Sequence, residues 1–184
     1  YEYSQRGPDY DKDGLPGPQV RDHIGQDCYD LADYRLRYAQ YLSDYDLQAA
    51  RCRHSWFPTF DDHEVANNWV GDIDAKGAPA DAFRMRRAAG MQAWYEYMPV
   101  RAAMAPRSEM IGTMYRQARF GDLLSIDFLD TRTFRTDQPC GDNFKPACAE
   151  MAATQAQVIS AEEEGWLTRN LARRDAKWNC MAQQ

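Results

Sequence analysis

Two prolines frame the segment that most restricts what this chain can fold into. Pro79 and Pro99 bracket "ADAFRMRRAAGMQAWYEYM". Proline fits the first turn of a helix, where its missing N–H needs no partner. It cannot continue one, so Pro99 marks a stop. A helix is therefore predicted from about Pro79 to Met98. Trp94, Tyr95 and Tyr97 fall at helical spacing within it, and such a stripe reads as core. Leu31, Tyr34, Leu36, Tyr38 and Leu42 mix three- and four-residue steps and predict an amphipathic helix upstream. Asp44 is placed to cap a second short helix with Leu47 to Cys52 as its body.

The strand signals differ in kind. "SWFPTF", Ser55 to Phe60, is apolar, aromatic and too short for a helix. It reads as a buried strand, although Pro58 would strain a central position. "TMYRQARFGDLLSIDFLDTR" reads as two strands joined at Phe120-Gly121-Asp122. The second, Leu123 to Leu129, is expected to be buried on both faces. Ser160-Ala161-Glu162-Glu163 forms a capping-box pattern that starts a late helix, and a last strand is expected from Lys177 to about Ala182. Residues 1–27 are polar and rich in Gly and Pro, and read as loop. Helices and strands are thus mixed in an α/β chain, helix-rich with a few strands, of roughly one domain's length.

Charge narrows the function. The net charge of −6 and pI near 5.1 argue against a nucleic-acid partner, whose phosphates call for a basic surface. No apolar run approaches the roughly 20 residues of a membrane span. No signal-peptide pattern is present, but the chain opens at Tyr1, so this says nothing about compartment. None of the five cysteines forms a C-x-x-C pair, which disfavours a zinc ribbon or thioredoxin-type motif. Cys140 and Cys148 flank "GDNFKPA", a loop with little other means of holding its shape, and a local disulfide is expected there. Two unpaired thiols are the alternative in a reducing compartment.

The densest chemistry lies in "TFDDHEVANNWVGD", Thr59 to Asp72. Carboxylates, Asn carbonyls and imidazoles are ligands of hard and borderline cations. His63 and Asn67 are four apart, so one helical turn would put them on one face. Free amides at such a turn also attract an anion. Metal plus phosphate satisfies both, against the plainer reading of an Asp-capped turn with a surface histidine.

These residues carry a resemblance. "FPTFDDHEVANNW" resembles the signature of the alkaline phosphatase D family, the PhoD-like metallophosphoesterases. "YEY" at the start is similar to the end of the family's Gly-Asp-Tyr-Ile-Tyr-Glu-Tyr segment. "LADYRLRYAQYLSDYDLQAA", "RRAAGMQAWYEYMPVR", "FLDTRTFRTDQPCGD" and "GWLTRNLARRDAKWNCMAQQ" match further family segments in order. The resemblance implies a two-sheet αββα sandwich, a secreted, periplasmic or cell-wall-associated phosphatase or phosphodiesterase acting on phosphate esters, and bound iron (Fe3+) and calcium. It implies that residues 1–184 are the central part of one catalytic domain, with further ligand-bearing segments on either side. Tyr1 matches the tyrosine whose phenolate binds iron. Asp61, Asp62, His63 and Glu64 match the signature, with Asp62 and His63 facing the metals and phosphate and Glu64 pointing away. One of Asn67 and Asn68 matches a calcium- or phosphate-contacting asparagine. Arg86 or Arg87 matches a phosphate-contacting arginine, against the plainer reading of a solvated helix face. A phospholipase D-like activity and a non-catalytic role are the alternatives. Elsewhere, His23 and His54 stand without ligand-like neighbours. Asp9 to Gly14 resembles the start of a calcium loop, but its twelfth position would be Val20 rather than Glu. Asp130 with Arg132 reads as a strand-terminating salt bridge.

Overall fold

The helix between the two prolines is α3, Ala80–Tyr97, entered at Pro79 and left at Met98. The computed structural model describes residues 2–4, 21–106, 113–141, 146–153 and 155–183. Tyr1 and the Asp9–Gly14 run lie outside them. α3 buries Phe83, Arg87, Gly90, Met91, Ala93 and Trp94, a stripe at helical spacing. α1, Leu31–Leu42, packs along α3. Its start is fixed by a reciprocal cap, Asp30 accepting from Asp33 N while the Asp33 side chain accepts from the cap backbone. Its buried face is Tyr34, Arg37 and Tyr38, and Tyr38 stacks on Tyr97. Leu36, expected inside, is 41% exposed. The inward position next to it belongs to Arg37, whose guanidinium donates to the carbonyls of Tyr3 and Gln26 and so satisfies loop backbone that would otherwise be buried unpaired. α2, Tyr45–Arg53, is capped by Asp44 as expected and buries nothing.

The core lies between α1, α3 and the segment 60–69. Phe60 stacks on Trp69 and meets Trp94 edge-on, and Val65 and Ala66 are buried with them. Burying each large side chain contributes roughly 1.5–3 kcal/mol, so the acidic stretch is anchored by its own apolar residues. "SWFPTF" is not a strand. It joins no ladder among the described residues, and Trp56 and Phe57 are 42% and 44% exposed. Pro58 has no N–H to offer a ladder, and its carbonyl accepts from Arg116 instead. Phe57 stacks on Phe128, which keeps the segment alongside the sheet without joining it.

β1, Arg116–Phe120, and β2, Leu124–Phe128, form the expected antiparallel hairpin, with Phe120 paired to Leu124. Gly121 takes φ +58° in its turn, a conformation glycine adopts without cost. β3, Trp178–Ala182, adds parallel to β2, giving the order β1-β2-β3. A parallel pair needs a long crossover, and this one carries the Cys140–Cys148 disulfide and α4, Ala161–Ala172. Central β2 buries two polar side chains, Ser125 and Asp127, beside Phe128. Asp127 accepts from Gln117 of β1 and Asn170 of α4, both at 2.9 Å, which fixes α4 against the strand.

Only half of the expected capping box forms. Ser160 Oγ accepts from Glu163 N, but the Glu163 carboxylate does not reach back. It is fully buried, and its Oε1 accepts from Asp130 N at 2.8 Å. That N–H lies just past the end of β2, where a buried donor needs a partner. The Asp130–Arg132 salt bridge is also absent. Asp130 Oδ1 instead accepts from the backbone N–H groups of Arg132 and Thr133, freeing the Arg132 side chain to cross to the acidic stretch.

Candidate active site

Residues 61–68 form linked turns rather than a helix. Asp62 O accepts from Val65 N and Ala66 N, both at 2.9 Å. The helix does not propagate because Asn68 takes φ +53°, and its N–H donates to Asp62 Oδ2 at 2.8 Å. Short acidic side chains compete for backbone donors in this way. The predicted helical face shared by His63 and Asn67 therefore does not exist.

Asp62 is 5% exposed. Its Oδ1 accepts from His63 N at 3.0 Å. Burial pushes its carboxyl up, but the Asn68 N–H and the charges of His63 and Arg132 outweigh that and hold it below the usual carboxylate value. Asp61 Oδ1 accepts from Arg132 Nε at 2.7 Å, and Arg132 Nη2 lies 3.9 Å from Asp62 Oδ1. One arginine, brought in by the loop after β2, thus braces both adjacent carboxylates. Glu64 points back, its Oε2 accepting from Asp61 N at 2.7 Å. Burial pushes its carboxyl up against the pull of that amide. His63 is half-exposed, with Nε2 4.0 Å from Asp62 Oδ2.

Two partners of this turn escaped sequence reasoning. One is Arg132 in its role toward Asp61. The other is Glu2, whose two carboxylate oxygens each lie 3.0 Å from His63 Nδ1. A charged residue between two tyrosines in "YEY" was the available signal. The two helix arginines point elsewhere. Arg86 Nε donates to Cys28 O at 2.9 Å and to Tyr34 Oη at 3.2 Å, with its guanidinium over the Tyr29 ring. Arg87 is buried, pairing with Asp72 at 2.6 Å and donating to Gly71 O. Asn67 and Asn68 both sit in the turn, half-buried. Among the described residues, no three His, Cys, Asp or Glu side chains converge in a way that could hold a metal ion. Asp61, Asp62 and His63 supply suitable donor atoms but not a complete set.

Among the described residues, no helix is long and apolar enough to cross a membrane. The family model for PhoD-like phosphatases matches residues 1–184. Alkaline phosphatase D of Bacillus subtilis (strain 168) is 42% identical over 165 residues, covering 90% of this chain and 28% of that protein. A solved structure described as the structure of PhoD superimposes with a TM-score of 0.89 at 41% identity, covering all of this chain and 34% of its own. The chain therefore spans about a third or less of the relatives it matches.

Proposed function

The chain belongs to the PhoD-like phosphatase family, and from that premise we propose that the full-length protein hydrolyses phosphate esters, monoesters and diesters alike. The observation that carries this reading is the Asp61–Asp62–His63 turn. It holds one carboxylate ionised and buried beside a half-exposed imidazole, on a rigid aromatic base. His63 would act on the ester through Nε2, giving a proton to the leaving oxygen or orienting it. Asp62, fixed by two backbone N–H groups, would set the local field and the ring's surroundings. Asn67 or Asn68 would contact phosphate or cation. Arg86 or Arg87 would neutralise phosphoryl oxygens after leaving its present partners.

Iron and calcium belong to the proposal through family resemblance, with Tyr1, Asp61, Asp62 and the asparagines as ligands. Such cations, when bound, offset charge on a phosphoryl group. The described residues do not make a complete cation site by themselves. An exported protein is the setting that suits the Cys140–Cys148 disulfide.

The test is His63→Ala in the full-length protein, assayed on chromogenic phosphate mono- and diesters. The expected loss in kcat is roughly 10²–10⁴, as for an acid–base group, read at a temperature where circular dichroism shows the variant folded. Activity within a few-fold of the parent would reduce the stretch to a capped turn.

A further inference from the structure

The segment 55–60, residues 99–104 and β1 wall a cleft of about 710 Å³, a size usual for small-molecule sites. The chain as a whole is acidic, with 28 Asp and Glu against 22 Lys and Arg. The cleft reverses that balance. Arg101, Arg116 and Arg119 line it, and among the described residues no Asp or Glu does. Arg119 is neutralised from outside by Asp175. Half-buried Arg116 has no such counter-ion among the described residues. Its Nη1 donates to Met114 O at 3.3 Å and its Nη2 to Pro58 O. Its guanidinium carbon lies 4.4 Å from the centre of the Phe128 ring. All of these partners are uncharged, and they leave most of the guanidinium's N–H donors free. Burial alone pushes Arg116 below the usual guanidinium value, with no carboxylate acting against it. A cation drawn out of water in this way is stabilised by a counter-ion. Arg101, exposed, makes no ion pair among the described residues either.

The remaining walls are aromatic. Trp56 and Phe57 are half-exposed, and Phe120 meets Phe57 edge-on at 5.8 Å between ring centres. Phe57 also stacks on Phe128, whereas the Trp56 indole stacks on no ring among the described residues. These groups line a recess rather than a broad face. That suits a small molecule better than a protein, whose interface takes roughly 800 Å² from each partner. We propose that the cleft binds a small aromatic anion, a planar ring bearing a carboxylate, sulfonate or phosphate group, with the ring on Trp56 and Phe57 and the anion on Arg101 and Arg116. The anion supplies the counter-ion that Arg116 lacks, through charge-assisted hydrogen bonds. The ring covers indole surface that otherwise meets water. Neither half of the ligand depends on Asp61, Asp62 or His63, so the binding does not rest on the phosphatase reading.

The experiment is isothermal titration of the full-length protein with 1-naphthalenesulfonate, which is not a phosphate ester and so is not consumed. One-to-one binding is expected. 1-Naphthalenemethanol keeps the ring without the charge, and methanesulfonate keeps the charge without the ring. Each should bind about 10–100-fold more weakly. Trp56→Ala and Arg101→Ala alter side chains that the fold does not bury, and each should weaken 1-naphthalenesulfonate by about tenfold. Tyr45→Ala removes an aromatic that stands 86% exposed on α2 and should leave binding unchanged. Absence of binding to the full-length protein overturns the proposal, since the rest of the chain then fills the cleft. So does binding indifferent to both Trp56→Ala and Arg101→Ala, or either comparator binding as tightly as the probe. Capture by phosphatidylglycerol vesicles, lost in the same two variants and with no binding of the probe, would make the cleft a membrane contact and overturn it too. A protein that binds the probe as expected yet turns over no phosphate ester would end the phosphatase reading and leave this site standing.

Discussion

A methyl group on Gly90 would lie 2.9 Å from the Glu64 carbonyl oxygen, 3.3 Å from Val65 Cγ2 and 3.4 Å from the Tyr34 ring. The first of these is backbone, and the last two belong to fully buried side chains. None can yield cheaply. Gly90 thus sets how closely α3 approaches the turn that carries Asp62 and His63. In an exposed helix Gly→Ala is favourable by up to about 1 kcal/mol, so propensity alone predicts a gain. Overpacking costs about 1–3 kcal/mol, and here it wins. In the full-length protein Gly90→Ala is expected to lower the urea midpoint and to reduce phosphate ester turnover together, because the displaced element carries the proposed site. A more stable, fully active variant would show that the turn can move away without consequence.

Among the elements, α4 is joined to the sheet by carboxyl chemistry that responds to pH. Burial pushes the Glu163 carboxyl up to about 7 from an ordinary 4.5, with the nearby Asp130 charge adding to it and the Asp130 N–H opposing it. Burial raises Asp130 as well. Glu163 Oε2 and Asp130 Oδ2 have no hydrogen-bond partner among the described residues, so nothing there offsets the effect of burial. For Glu163, the folded state keeps a proton that the unfolded chain releases above its own lower value. Its stabilising contribution is therefore full below about pH 4.5 and lost as pH climbs through about 7. The span corresponds to something on the order of 3 kcal/mol. Glu163→Gln keeps the acceptor for Asp130 N and carries no ionisable proton. Urea unfolding at pH 5 and pH 8 should show parent stability falling between them and the variant's falling much less. Parallel behaviour of the two proteins would place the pH response elsewhere.

Across the whole molecule, what was legible from sequence follows the distance over which a partner must be found. α2 and α3 were readable because Asp44, Pro79 and Pro99 act within a turn of themselves. The β1–β2 hairpin was readable from Gly121. "SWFPTF" misled because a strand is defined by its neighbour, and its composition says nothing about who pairs with it. Within the site, Asp62 with Asn68 is local, but Glu2 and Arg132 reach their partners across 61 and 71 residues. No spacing rule reports such pairs. The family pattern located the turn, yet the side chains that brace it came only with the fold. The same dispersal governs activity. Asp61, Asp62 and His63 gather at one end of the core, but among the described residues no three ligating side chains converge, and the chain matches 28% of a related phosphatase. Residues 1–184 assayed by themselves should therefore fold around the Phe60–Trp69–Trp94 core and yet bind calcium or iron weakly. Their turnover of a chromogenic phosphodiester should fall far below the 1–10³ s⁻¹ usual for enzymes. Near-ultraviolet circular dichroism reports the aromatic core, calorimetry with each metal reports binding, and a stopped assay reports turnover. A folded chain that binds metal tightly and turns over at an ordinary enzymatic rate would mean that these residues hold a complete site, and that the ligand set proposed here is wrong.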